Sequence, residues 1–281
     1  MATAAQISTA QLSSLQKQND LFDRLRECDS LLIAFSGGAD SAFLAWAAHR
    51  VLGERTVAIT ALSASFSAYD RAQAEAFVRA SGVRHEFIET QEFDNPLYVA
   101  NNADRCYHCK DELFARMESV AKERDFRAIA YGINADDTRD FRPGHRAAHE
   151  RHVLAPLLDA RLHKDEIRQL SRLAGLPTWD RPASACLSSR IPYGTKVTPE
   201  LLGKIERAEA GLRDLGFLQF RVRAHGELAR IELSPGELPR GLEPEMAQQI
   251  SLRIKAVGFV FVTLDLEGYR QGSLNSVLKT K

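Results

Sequence analysis

Four cysteines in 281 residues are too few to make a disulfide framework in a chain of this length. In a reducing compartment, closely set cysteines bind metal or do chemistry, so their placement matters more than their number. The chain also lacks an excess of charge of either sign. Lys+Arg and Asp+Glu both total 37, so no global field draws a polyanion, which disfavours a dedicated nucleic-acid binder and leaves only a local basic patch open. No run approaches the roughly 20 apolar residues that cross a bilayer. The N-terminal MATAAQISTAQLSSLQKQND lacks the basic-then-apolar order of a signal peptide and reads as a polar tail entering a helix. The expectation is a soluble, cytoplasmic protein with no membrane partner. Neither an internal repeat nor a low-complexity segment is present.

What is there, 44% hydrophobic and 26% charged residues, is an ordinary globular composition with room for one large core or two modest ones. Apolar residues at Leu12, Leu15, Phe22 and Leu25 suit an amphipathic helix ending near Cys28. LLIAF (31–35) is an unbroken apolar run of strand length, followed by SGGADS and a helical AFLAWAAHRVLG. TVAITALS and RHEFIET read as further strands around the helix AYDRAQAEAFVRASG, and AIAYGI as a fourth strand after the helix KDELFARMESVAKERD. This alternation predicts an α/β fold, a doubly wound, mostly parallel sheet spanning 1–178. The irregular, proline-rich stretch 179–197 is a functional loop and connection. Residues 198–281 predict a smaller C-terminal α+β domain with an antiparallel sheet, opened by a helix with Thr198 at its N-cap and Pro199 at its first position.

Ser36-Gly37-Gly38-Ala39-Asp40-Ser41 sits where an open α/β sheet binds its ligand, between a strand end and a helix start. The glycines let the backbone approach an anion, Ser36 and Ser41 can donate, and the helix N-terminus supplies amides and positive potential. The design fits a phosphate chain. It is not Walker A, because GK[ST] is absent, nor a dinucleotide fingerprint, because the G-x-G-x-x-G spacing is absent.

Cys106-Tyr107-His108-Cys109-Lys110 sets two thiols within reach of one ion, one cluster or each other. No second C-x-x-C or H-x-x-x-H follows at a customary spacing, which argues against a closed zinc site. Cys186, in PASACLSSR, has a comparably unusual setting. Should the fold gather all three, one iron of a [4Fe-4S] cluster would be left open to a sulfide or a substrate. Cys28 reads as a small, inert core residue.

The string SGGxDS after an apolar strand resembles the signature of the PP-loop ATP pyrophosphatases, which cleave ATP between the α- and β-phosphates and transfer AMP to a substrate oxygen. The resemblance implies that the loop grips pyrophosphate and that adenine lies near the ends of the first, second and fourth strands, matching Ser63 and Gly132 here. Asp40 is then a candidate to hold Mg²⁺, with Asp136 a second. Together, AFSGGADS, RCYHCK, DFRPG, ACLSSRIPYGT, RVRAH and FVTLDLEGYRQGSLN look like the LarE family over nearly the whole chain. That resemblance implies adenylation of the carboxylate of a pyridinium dicarboxylate mononucleotide, with sulfur then replacing AMP to give a thiocarboxylate for a nickel-pincer cofactor. It also implies ATP, Mg²⁺, a hexameric homo-oligomer, and one of two sulfur sources. Either Cys186 is sacrificed and left as dehydroalanine, or Cys106, Cys109 and Cys186 carry a [4Fe-4S] cluster that donates sulfide; the additional C-x-x-C favours the cluster. Arg221 and Arg223, alternating along a strand, match family positions that hold the substrate phosphate, with Lys110, Arg190 and Glu209 lesser candidates.

Three rivals remain. A tRNA-thiolating PP-loop enzyme would have to hold a large polyanion, against a neutral balance and no appended RNA-binding module. An amidotransferase synthetase would bring a glutaminase nucleophile motif, which is absent. A scaffold or sensor that binds nucleotide or cluster without turnover differs from an enzyme in releasing no pyrophosphate.

Overall fold

The computed structural model describes residues 9–139, 143–182, 185–270 and 272–278. The tail 1–8, Asp140–Arg142 of DFRPG, the pair Ala183–Ser184, Gln271 and 279–281 lie outside the described residues. No helix among those described is long and apolar enough to cross a membrane.

Two compact units are built from interleaved pieces of chain. The first takes residues 1–62, 68–90 and 109–184, the second 63–67, 91–108 and 185–281.

In the first unit, β1 (Leu31–Ala34), β2 (Thr56–Leu62), β3 (His85–Glu89) and β4 (Ala128–Tyr131) form one sheet in the order β3-β2-β1-β4. Every pairing is parallel, with Leu31 opposite both Thr56 and Ala128. All four residues of β1 are buried, as a central strand covered on both faces requires, which is why it reads as a continuous apolar run and not as an alternation. Its neighbours in the sheet lead away in opposite directions along the chain, so the order reverses between β1 and β4. That reversal is the switch point at which open sheets bind ligands.

Leu32, Ala34, Val57, Ile59 and Ile129 on one side of the sheet join Leu113, Phe114, Met117 and Ala121 of the helix Arg105–Glu123 in one core cluster. Leu31, Ile33, Phe43 and Leu44 are fully buried as well, each worth about 1.5–3 kcal/mol of transfer free energy. The helix Arg105–Glu123 starts earlier than the apolar periodicity suggested, so Cys106-Tyr107-His108-Cys109 forms its first turns and not a preceding loop.

The second unit holds β5 (Phe220–His225), β6 (Leu228–Leu233) and β7 (Phe261–Leu264) in that order. β5 and β6 are an antiparallel hairpin, but β6 and β7 run parallel, so the sheet is mixed and the expected antiparallel sheet is corrected. Between β6 and β7 the helix Pro244–Ala256 carries the chain back to the end where β6 began, and a strand delivered by such a crossover must run parallel. Thr198 caps the helix Pro199–Asp214 as expected, accepting the Leu201 amide at 3.2 Å.

Candidate active site

The loop that leaves β1 is shaped by its own side chains. Ser41 Oγ accepts the Ser36 amide at 3.3 Å, lies 3.2 Å from Ser36 Oγ and donates to the Gly38 carbonyl at 3.1 Å. Gly37 takes φ +75°, a left-handed conformation that favours glycine. Gly38 is the N-cap of the helix Ala39–Leu52 and offers no side-chain cap, so the amides of the first turn keep their capacity for an anion.

Gly132, just past β4, completes this cradle from the neighbouring strand. A Cβ there would stand 2.8 Å from the Ser41 nitrogen and 2.9 Å from its Cα. Only a residue without a side chain lets the β4 end close on the helix start. The switch point thus brings Gly132 against the loop Ser36–Ser41 in one unit.

Two cations that sequence reasoning did not single out face this loop. Lys164, the first residue of the helix Lys164–Leu173, makes a short ion pair with Asp40. Arg181 donates to the Gly37 carbonyl at 2.6 Å and to Asp70 Oδ1 at 2.6 Å. Neither had a sequence signal: HKDE reads as an ordinary helix start, and Arg181 sits in the aperiodic loop. Burial raises the Asp40 pKa, opposed by the charge and hydrogen bond of Lys164. Its other oxygen, Oδ1, is buried and lacks a hydrogen bond of good geometry, with the Asn134 side chain nearby. Asp136 lies at the start of the helix Lys164–Leu173. It meets His163 Nδ1 at 2.8 Å and accepts the Lys164 amide at 2.8 Å, which satisfies a helix N-terminus.

In the second unit, Ser63 follows β2 and lies 2.8 Å from Ser65 Oγ, while the Ser65 carbonyl accepts the Leu187 amide at 2.9 Å. This ties the start of the Cys186 loop to the segment after Ser63. Tyr98, Asn101 and Arg105 hold the rest of that loop. Tyr98 OH meets Ser188 Oγ at 2.8 Å. Asn101, with φ 55° and no exposure, donates from Nδ2 to the carbonyls of Ile191, Pro192 and Thr195 at 3.3, 2.9 and 2.9 Å. Arg105 donates to Asn101 Oδ1 at 2.5 Å, to the Ser188 carbonyl at 2.8 Å and to Cys106 Sγ at 3.7 Å.

Cys106 and Cys186 are exposed free thiols of this unit, and Cys109, partly exposed, follows Cys106 by three positions on the same helix. Among the described residues no group of three His, Cys, Asp or Glu side chains is gathered to hold a metal ion. Cys28 is half-buried rather than in the core; burial, then Glu27 and Asp29, push its thiol pKa up, which makes it a poor nucleophile.

The arginines of the second unit are held by buried carboxylates. Arg190 pairs with Glu209 through Nε at 2.9 Å and Nη2 at 3.0 Å, and donates to the Cys186 carbonyl at 3.0 Å. Burial works to raise the Glu209 pKa, but the charge and hydrogen bond of Arg190 hold it below the usual carboxylate value. Arg223 donates to Glu232 Oε2 and the Ser189 carbonyl, both at 2.7 Å, and its Nε is buried without a partner. Arg221 lies over the Tyr269 ring at 5.0 Å, and burial, then the charge of Arg190, lower its pKa. The same two carboxylates also meet Arg213, at 3.7 Å from Glu209, and Arg230, at 3.2 Å from Glu232. Lys110, on the first unit, places Nζ 5.7 Å from the centre of the Phe114 ring.

No family model matches the chain. A protein of Synechocystis sp. described as uncharacterized is 45% identical over 252 residues, 90% of this chain and 94% of that one. The pyridinium-3,5-bisthiocarboxylic acid mononucleotide synthase of Lactiplantibacillus plantarum is 33% identical over 266 residues, 93% of this chain and 95% of that enzyme. One of the polypeptides of the glutamine-hydrolyzing GMP synthase of Archaeoglobus fulgidus is 25% identical over 187 residues, 62% of this chain and 58% of that polypeptide. With the loop Ser36–Ser41 closed against Gly132 at the sheet's switch point and identity at this level over nearly the whole of both chains, the chain belongs to the LarE-like family of PP-loop ATP pyrophosphatases.

Proposed function

We propose that the protein uses ATP to insert sulfur into a pyridinium mononucleotide. The substrate carboxylate attacks the α-phosphorus of ATP, giving the acyl adenylate and pyrophosphate, and a sulfur nucleophile then displaces AMP to leave a thiocarboxylate. The observation that carries this reading is the loop Ser36–Ser41 closed against Gly132, a cradle with open helix amides. It is joined to similarity along nearly the full length of an enzyme that makes a bisthiocarboxylic mononucleotide.

The residues divide the work. The loop amides and the Ser36 and Ser41 hydroxyls hold pyrophosphate as it departs, while Lys164 and Arg181 balance its charge. Asp40 Oδ1, buried and without a well-formed hydrogen bond, is the oxygen that would hold Mg²⁺. The family resemblance assigns Ser63 and Gly132 to the adenine. Arg221 and Arg223 bind the substrate phosphate, with Arg190 and Glu209 fixing their wall and Lys110 assisting. As in other acyl transfers, a carboxylate is a poor electrophile and AMP makes it a good one.

Cys106, Cys109 and Cys186 would hold a [4Fe-4S] cluster. The donor set suits it: three thiols outside any disulfide, with the buried Arg105 guanidinium donating to Cys106 Sγ at 3.7 Å. A cluster held by three cysteines would supply a labile sulfide at its open iron. A second reading, in which Cys186 gives up its own sulfur, is favoured by the exposure of that thiol and by the absence of a gathered three-residue metal set among the described residues.

The test is anaerobic incubation with ATP, Mg²⁺ and the dicarboxylate mononucleotide, following pyrophosphate and the product mass, with iron measured in wild type and in Cys106→Ala, Cys109→Ala and Cys186→Ala. About four irons per chain, lost in each variant, with a thiocarboxylate product, is the expected result. An iron-free protein that loses the mass of one hydrogen sulfide on turnover makes Cys186 the donor. No pyrophosphate from any pyridinium carboxylate overturns the whole reading.

A further inference from the structure

Arg105 is 4% exposed, yet no carboxylate among the described residues lies within ion-pair distance of it. Its hydrogen bonds go to neutral oxygens of Asn101 and Ser188 and to the Cys106 sulfur. The other buried arginines of this unit, Arg190 and Arg223, each have a buried glutamate. A buried cation with no counter-ion is a standing cost unless an anion arrives to meet it.

We propose that Arg105 is the counter-cation of the sulfur centre, a positioning residue whose buried charge offsets the negative charge that the centre carries and whose hydrogen bonds hold the Cys186 loop beside Cys106. The inference rests on the sulfur-transfer reading above and is independent of which sulfur source operates. Either source presents negative charge here, as thiolates or as a thiolate-bound cluster. The geometry agrees: the Arg105 guanidinium donates to Cys106 Sγ at 3.7 Å and to the carbonyl of Ser188, two residues after Cys186, at 2.8 Å.

Two substitutions separate charge from tethering. Arg105→Gln keeps donors for Asn101 and Ser188 without the charge, and Arg105→Lys keeps the charge with a poorer fork. Wild type and both variants are reconstituted anaerobically with Fe²⁺ and sulfide, and iron retention and the midpoint potential are read. Arg105→Gln is expected to hold iron about 10-fold more weakly and at a more negative potential, with Arg105→Lys close to wild type. Equal retention and potential in wild type and Arg105→Gln overturn the proposal, as does a loss in Arg105→Lys as large as in Arg105→Gln, which would make Arg105 a tether only.

Should wild type take up no iron, the cluster reading fails and Arg105 is judged on the apoprotein. There the iodoacetamide alkylation rates of Cys106 and Cys186, each relative to Cys28 in the same chain, are expected to fall about 10-fold in Arg105→Gln and to recover in Arg105→Lys. Unchanged rates in Arg105→Gln overturn the proposal in that case.

Discussion

Gly132 and Ser41 are packed backbone to backbone: a single methyl on Gly132 would stand 2.8 Å from the Ser41 nitrogen. The contact joins the end of β4 to the start of the helix that follows β1, and it sets how closely β4 approaches the loop Ser36–Ser41. Gly132→Ala is therefore expected to push the two apart, at a cost of about 1–3 kcal/mol in stability. Pyrophosphate release should fall more steeply than the melting temperature. An alanine variant with wild-type turnover would show that the close approach has no part in ATP cleavage.

Arg181 joins the Gly37 carbonyl to Asp70, both contacts at 2.6 Å. Its removal in Arg181→Ala loses two charge-assisted hydrogen bonds, each worth about 1.5–3 kcal/mol. The expected outcome is a rise in KM for MgATP of at least about 10-fold, with Arg181→Lys restoring part of it. The measurement is pyrophosphate release against ATP concentration. A KM unmoved in Arg181→Ala would leave Arg181 a structural clasp only.

Glu209 carries a pH prediction. Its folded pKa lies below the ordinary 4.5 because Arg190 holds it ionised against the effect of burial. The pair thus contributes its stability in full above pH 4.5 and loses it as pH falls through the depressed folded value. Glu209→Gln should destabilise the protein at neutral pH by about 3–5 kcal/mol, since Arg190 is left buried and unpaired, and should flatten the acid limb of the stability curve. Denaturant melts at a series of pH values give both quantities; an acid limb as steep as in wild type would assign the acid sensitivity to other carboxylates.

Arg221 and Arg223 should differ although they alternate on one strand. Arg223 is bound to the fully buried Glu232, so Arg223→Met leaves that carboxylate only Arg230 at 3.2 Å and Ser273 at 3.0 Å and should lower both stability and affinity for the mononucleotide. Arg221 stacks on Tyr269, a contact whose apolar part a methionine keeps, so Arg221→Met should raise the KM for the mononucleotide about 10- to 100-fold with little change in melting temperature. Equal losses of stability in the two variants would contradict this division.

Much of this was legible in the letters. The apolar run of β1, the glycines after it and the helix that follows announce a parallel sheet with an anion loop, because a doubly covered strand and a helix N-terminus each leave a local signature. The parallel pairing of β7 was not legible, since the strand itself looks the same in either direction and only the helix Pro244–Ala256 decides it. Lys164, Arg181, Asn101 and Arg105 were missed for a common reason. Each acts on residues far along the chain, such as Asp40 at a separation of 124 residues from Lys164, and no periodicity records such a contact. Asp136 is a further case, an acidic residue whose acceptance of the Lys164 amide spans 28 residues.

The interleaving of the two units bears on how the molecule comes into being on the ribosome. Arg105 and the Ser188 carbonyl that it grips are separated by 83 residues, and Tyr98 and Asn101 wait for partners about 90 residues later. Segment 91–108 must therefore emerge and wait while β4 and the rest of the first unit are synthesised, and contacts of such high order close slowly. A fragment that begins after residue 184 would carry Cys186 without the clamp that seats it. A cut there falls on a boundary between the two units, yet it parts Cys186 from segment 91–108 of its own unit.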